Sequence, residues 1–391
     1  MSRMSASLPV VALLGALALT GCSSAAPSSG VGSSAACLLV PSGDGPKGGV
    51  PITVQTVATG LVVPWGIAFL PDGDWLVTER PGRVRRLSKG QLLPDPVLTV
   101  DVTASDEGGL LGIAVSPQFA ADRFFYLHGT FHDTERHNKV LRYKLAPDKL
   151  SATLDKVIVE RIPGAQYHDG GRLRFGPDGM LYIGTGDART PELSQLLTSL
   201  AGKVLRVLPD GQIPPDNPFR GSPVFLSGVR NVQAFDWLDD KTLVVADHGP
   251  SGDLGRYGHD EITIATAGQN LGWPLVYGCE SRPDTVTPVL TWKEAVPPGG
   301  AAIYRGGKIP EWNGSLLVAT LGSRHLHRVV VDKSRKLTLH EVYLAGEPPA
   351  GYGRLRDVVQ GPDGELYVTT SNCDGRGACP ADKDRILRIT R

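Results

Sequence analysis

The chain has 391 residues, and its 40 basic and 40 acidic side chains cancel. That balance argues against nucleic acid or an anionic lipid surface as a partner. With 48 Gly, 31 Pro and little helical periodicity, the composition speaks against a helical bundle and predicts many short strands joined by turns.

Arg3 and the apolar run Leu8 to Leu19 read as an export signal, too short to span a bilayer comfortably. The run ends in Leu19-Thr20-Gly21-Cys22, which has the pattern of a bacterial lipobox. Residues 1–21 are therefore expected to be a lipoprotein signal peptide, with Cys22 as the lipidated mature N-terminus. The protein is expected to be exported, on the outer face of the cytoplasmic membrane or the periplasmic side. It would touch the membrane only through that anchor. Residues 22–36 are low in complexity and read as a flexible tether. Four further cysteines in an exported chain predict disulfides. Cys373 and Cys379 enclose a small loop, and Cys37 with Cys279 would then pin the start of the domain to a distant segment. The sequence leaves that pairing open. A metal site is the weaker alternative, because no His/Cys cluster has zinc spacing.

From Leu70 onward a turn–strand–break–strand pattern recurs. Pro71-Asp72-Gly73 precedes Trp75 to Glu79, and Gly82 to Leu87 follows as a second strand. Gly176-Pro177-Asp178-Gly179 precedes Met180 to Ile183, and Gly361-Pro362-Asp363-Gly364 precedes Glu365 to Thr370. Looser copies are Phe124 to His128, Lys241 to Ala246 and Gly314 to Thr320. The copies recur roughly every fifty residues, the scale of propeller blades. An all-β, six-bladed β-propeller of four-stranded antiparallel blades is expected over residues 37–391, with Ile52 to Ala58 completing the last blade. Ala188 to Phe219 and Gly249 to Gly258 read as insertions on the loop faces, with Pro191 to Leu200 helical. Two β-sandwich domains are the alternative, but no mid-chain linker appears.

One stretch carries proton chemistry. His168 precedes Asp169-Gly170-Gly171, and Asp187 follows where the Met180 to Thr185 strand ends. Histidine titrates near neutral pH, and a carboxylate behind it would hold it as a general base. Each residue alone is as easily a loop or turn former.

The chain resembles the soluble quinoprotein glucose dehydrogenases, and more closely the bacterial aldose sugar dehydrogenases that use pyrroloquinoline quinone (PQQ). The resemblance runs in order through Pro64-Trp65-Gly66, Glu107-Gly108-Gly109-Leu110-Leu111-Gly112, His168 to Leu173, Arg230-Asn231-Val232-Gln233, His248-Gly249-Pro250, Asp260-Glu261-Ile262, Asn270 to Pro274 and Arg354-Leu355-Arg356-Asp357. It implies that His168 takes the anomeric hydroxyl proton as hydride moves to quinone C5, and that Asp187 orients His168. It implies that Arg230 stabilises charge on the quinone oxygen, that Asn231 and Gln233 contact the cofactor, and that Arg354 and Arg356 hold its carboxylates. The carbonyls of Gly249 and Pro250 match a calcium site, and Glu261 with the Leu271 carbonyl matches a second. Three departures appear. Glu107 stands where the family often has Gln, and would repel an anionic cofactor unless protonated or calcium-bound. Leu321-Gly322-Ser323-Arg324 lacks the usual Lys, so Arg324 is expected to supply that charge two residues on. Val296-Pro297-Pro298-Gly299-Gly300 replaces the usual Pro-Ser-Gly.

The expected function is oxidation of an aldose to a lactone, with electrons passing to a membrane quinone or another acceptor. No Gly-x-Gly-x-x-Gly nicotinamide fingerprint is present. A cofactor-less binding propeller is the second reading, and a calcium-dependent lactonase the third.

Overall fold

The computed structural model describes residues 36–391, with Met1 and the backbone of Gly32–Ser33. Cys22 and most of the tether lie outside the described residues. The chain divides into two units, Met1–Gly30 and Val31–Arg391, and the second holds every described strand.

Six antiparallel sheets follow one another along the chain. The first blade is Pro64–Phe69, Trp75–Glu79 and Arg83–Ser88, with Gln91–Leu92 and Leu98–Thr99 both pairing to its third strand. The second is Leu110–Val115, Phe124–His132, Arg136–Leu145 and Ala152–Pro163. The third is Leu173–Phe175, Leu181–Gly184, Lys203–Val207 and Val224–Ser227. The fourth is Val232–Asp239, Thr242–Asp247, Glu261–Thr266 and Leu290–Trp292, to which Leu38–Val40 adds a parallel edge strand. The fifth is Pro298–Ile303, Leu316–Thr320, Leu326–Val331 and Leu337–Tyr343. The sixth is Leu355–Gln360, Leu366–Thr370 and Asp384–Thr390, and Thr53–Leu61 from the start of the domain completes it. The six-bladed propeller and its closure by an early strand are as the sequence predicts.

Alternating strands expose apolar residues on both faces of every blade, so each blade must be covered twice. Neighbouring blades do this for one another. Each apolar cluster mixes residues of two adjacent blades, as where Leu76, Val84 and Leu110 of the first and second meet Phe125 and Leu127. The last and first blades meet through Ala58, Ile67, Val77 and Ile386. Around the axis the first strands pack closely, and glycine makes room. A Cβ on Gly112 would stand 2.1 Å from the Gly171 carbonyl oxygen, and one on Gly299 would stand 2.5 Å from that of Arg356.

Two sequence expectations fail. The segment Ala188 to Phe219 is not one insertion, because Lys203–Val207 within it is the third strand of its blade. Nor is Pro191 to Leu200 a helix; only Pro191–Ser194 forms a 3₁₀ turn. The Leu193 and Ser194 carbonyls that would continue a helix accept from Lys203 Nζ at 2.7 and 2.9 Å. Both predicted disulfides are present, Cys37–Cys279 and Cys373–Cys379. No helix among the described residues is long and apolar enough to cross a membrane.

Candidate active site

Loops and inner strand ends from all six blades converge on one cavity of about 440 Å³. His168 and Asp187 meet there. His168 Nδ1 lies 2.7 Å from Asp187 Oδ1. Gly186 permits the approach, since a Cβ on it would stand 1.9 Å from the His168 carbonyl oxygen. His168 itself adopts φ 68°, a left-handed conformation costly for a β-substituted residue and typical of functional sites. The surroundings hold it there. The His168 amide donates to Glu107 Oε2 at 3.1 Å, and the Gly170 amide to Asn231 Oδ1 at 2.9 Å.

Asp187 is fully buried and its acceptors are well used. The Arg189 amide donates to Oδ1 at 2.8 Å, and Trp273 Nε1 donates to Oδ2 at 2.9 Å. With Nδ1–H directed at the carboxylate, His168 presents a lone pair at Nε2. Arg230 Nη2 lies 2.7 Å from that nitrogen. Arg230 is held in turn by Asp253, whose Oδ2 is 2.6 Å from Nη2 and 3.1 Å from Nε. The Arg230 and Asn231 amides both donate to the buried Asp247 carboxylate, at 2.7 Å each.

Across the cavity, Arg354, just before the sixth blade's inner strand, and Arg356, at the register shift within it, both line the wall. Arg356 Nη1 donates to Gln233 Oε1 at 2.6 Å, and its buried Nε has no partner. Burial destabilises the Arg356 charge and Arg354 and Arg80 add to this, while Asp374 and Glu107 oppose it. Such a cation welcomes an anion. Trp65 lies under Arg356 and under Arg172, 5.7 and 4.6 Å from its ring. Arg172 pairs with Asp357 at 2.9 Å and lines a separate cavity.

Glu107 is ionised, not protonated. Burial alone would raise its carboxyl, but His248, the His168 amide and Arg376 outweigh this and hold it at about 2; burial lowers His248 itself to about 3, so at neutral pH the amide and Arg376 carry the effect. Arg376 Nη1 lies 3.0 Å from Glu107 Oε1. The repulsion expected of Glu107 is thereby offset by a cation not singled out in the sequence.

Arg324 does not reach the cavity. It sits in a tight turn at φ 57°, half-exposed, and pairs with Glu347 at 2.8 Å. The charges that line the cavity instead include Arg80, Arg189 and Arg376, beside Tyr167, Asp253 and Asp374. None of the charged ones had a signal in the sequence beyond its own charge. Gly249 and Pro250 line both this cavity and a small adjoining one that holds Glu261 and Leu271. Burial pushes the Glu261 carboxyl well up, and Asp247 adds to it. Among the described residues, no group of three or more His, Cys, Asp or Glu side chains is arranged to hold a metal by itself.

The six-bladed propeller brings a buried His–Asp pair and a cluster of guanidinium groups to one cavity. The chain belongs to the glucose/sorbosone dehydrogenase family, whose model matches residues 61–387. It is 32% identical over 351 residues to the aldose sugar dehydrogenase YliI of Escherichia coli, covering 83% of this chain and 91% of that protein. It is 26% identical over 413 residues to the quinoprotein glucose dehydrogenase B of Acinetobacter calcoaceticus, covering 81% and 84%. The PQQ-bound aldose sugar dehydrogenase of Streptomyces coelicolor superposes with a TM-score of 0.77 at 36% identity, over 88% of this chain and 99% of that one.

Proposed function

We propose that this protein is a PQQ-dependent sugar dehydrogenase that oxidises the anomeric carbon of an aldose to a lactone. One observation carries the reading: His168 Nε2, backed by Asp187, opens beside Arg230 into the cavity that Arg354 and Arg356 line. The donor set fits a flat polycarboxylate. Arg354 and Arg356 suit carboxylates, the orphaned Arg356 Nε offers a free donor, and Asn231 and Gln233 add amides. PQQ, when bound, supplies the hydride acceptor that no side chain provides.

The chain's own residues handle the proton. Arg230 Nη2 donates to His168 Nε2, so it must release that lone pair before Nε2 accepts the anomeric hydroxyl proton as the C1–H bond gives up hydride and the sugar carbon becomes the lactone carbonyl. Asp187 keeps Nδ1–H in place and stabilises the imidazolium that forms. Arg230 sits at the accepting nitrogen, where its positive charge offsets negative charge developing on the hydroxyl oxygen. Gly249 and Pro250 carbonyls, with Glu261 and the Leu271 carbonyl beside them, supply hard oxygen donors suited to calcium. The raised Glu261 carboxyl is a group that a cation would stabilise. A lipid anchor at Cys22 would bring the site near a membrane electron acceptor, and the two disulfides favour an extracytoplasmic location.

The test is spectroscopic. The protein is mixed with PQQ and calcium and its visible spectrum recorded before and after an aldose is added. A bound chromophore that bleaches with sugar is expected. Failure to bind at saturating PQQ would favour a binding propeller instead.

A further inference from the structure

The loop closed by Cys373–Cys379 lies between the second and third strands of the sixth blade, and it carries two charges into the cavity. Asp374 Oδ2 lies 2.9 Å from both Nε and Nη2 of Arg354 and 4.0 Å from Arg356 Nη2. Arg376 pairs with Glu107 and lies 5.5 Å from the Tyr167 ring. The loop is seated on Arg354. Its Gly377 faces the arginine so closely that a Cβ there would stand 2.8 Å from Arg354 Cδ. Asn372, at the loop's root, accepts from the Arg354 amide at 2.9 Å. The amides of Asn372 and Cys373 donate to Asp384 at 2.6 and 3.2 Å. The loop is thus anchored at its root, while its tip is closed by the disulfide.

We propose that Asp374 is an internal counter-ion that occupies the carboxylate-binding edge of Arg354, so that an incoming planar carboxylate binds by displacing it. This deepens the reading of the cavity as a polycarboxylate site and rests on it. The argument is geometric. A guanidinium accepts a carboxylate best along one two-nitrogen edge. Asp374 already spans the Nε–Nη2 edge of Arg354. An external carboxylate gains that edge only when Asp374 gives it up. Asp374 also shares the hydroxyl of Ser371 at 3.1 Å, which remains as its partner once it swings away. Neutralised in this way, the cavity avoids holding Arg354 and Arg356 buried beside Arg80 without compensation, which would be costly. The same device selects its ligand. A weak monocarboxylate cannot outcompete a tethered carboxylate, whereas a rigid polycarboxylate that also engages Arg356 can.

Asp374→Asn keeps the shape and the contact with Ser371 while removing the charge. Equilibrium binding of PQQ, and separately of pyridine-2,6-dicarboxylate, is measured for the parent and the variant by quenching of tryptophan fluorescence, with no turnover required. Asp374→Ser is carried in parallel in case the amide variant folds poorly. Binding of at least one probe is expected to tighten about tenfold or more, the scale of one charge-assisted contact. Tightening for the dicarboxylate with PQQ bound by neither protein would uphold the displaced counter-ion and remove the proposed cofactor. Equal or weaker binding of both probes by the variants would overturn it, since Asp374 would then merely hold Arg354 in position. Absence of binding by parent and variants alike would overturn it too.

Discussion

His168 is held from four directions, and each contact has a separate consequence. Asp187 takes its Nδ1–H, Arg230 faces its Nε2, and Glu107 accepts its amide proton. The fourth is the Gly186 backbone packed against its carbonyl. Under the proposed mechanism only the ring acts on substrate, so His168→Gln is expected to lower kcat by about 10²–10⁴-fold, the ordinary worth of a positioned base. PQQ affinity, measured by fluorescence quenching, is expected to change little. Parent-like turnover would remove the base. Glu107 acts on stability as well. Its folded carboxyl sits at about 2, below the usual carboxylate value near 4.3. A depressed carboxyl contributes stability that is fully present above the unfolded value and is lost as pH falls towards 2. Glu107→Gln is therefore expected to melt lower than the parent by a constant margin from pH 5 to 8, with the margin shrinking below about pH 4.5. A margin that widened in acid would contradict the Glu107–Arg376 pairing.

At the scale of elements, turns and strands place the site. The turn Gly176 to Gly179 and the strand after it are written locally, by Pro, Asp, Gly and β-formers, and so the blades could be read from the sequence. The His168–Asp187 pairing was legible too, because both residues flank the hairpin built on that turn. What could not be read depends on contacts between distant segments. Trp273 reaches Asp187 from the fourth blade, Arg376 of the sixth blade reaches Glu107 in the connection between the first and second, and Lys203 diverts the carbonyls that would have made a helix of Pro191 to Leu200. Arg324 carries the expected charge but its turn hands it to Glu347. Gly186 tests the role of packing. In Gly186→Ala the new methyl meets the His168 carbonyl at 1.9 Å, so one of the two segments must move. Overpacking of this kind costs about 1–3 kcal/mol, and a shift of an ångström at the base costs on the order of 10² in rate. Both losses are expected, read by thermal melting and by kcat. Gly49→Ala is the control, with nothing within 4 Å of the added carbon.

Across the whole molecule, the site exists only while the ring is closed. Arg80 comes from the turn between the first blade's second and third strands and Arg354 from the start of the sixth, so the cavity spans the seam where the propeller's first and last blades meet. That seam is held by the pairing of Thr53–Leu61 with Asp384–Thr390 and by one buried carboxylate. Asp384 Oδ2 accepts from the Val63 amide at 3.1 Å and the Cys373 amide at 3.2 Å. Its Oδ1 accepts from the Asn372 amide at 2.6 Å and the Thr370 hydroxyl at 2.9 Å. One side chain thus joins the entry to the first blade with the loop that covers Arg354. Asp384→Ala leaves four donors unmatched, three of them buried, and the expected loss is about 3 kcal/mol or more. If the six blades unfold as one unit, the variant melts earlier in a single transition. Far-ultraviolet circular dichroism and tryptophan fluorescence should then give one midpoint, because every blade relies on its neighbours for half of its burial. A variant in which the fluorescence midpoint falls while the strand signal stays put would mean that the seam opens alone, and that the cavity can be lost without the propeller.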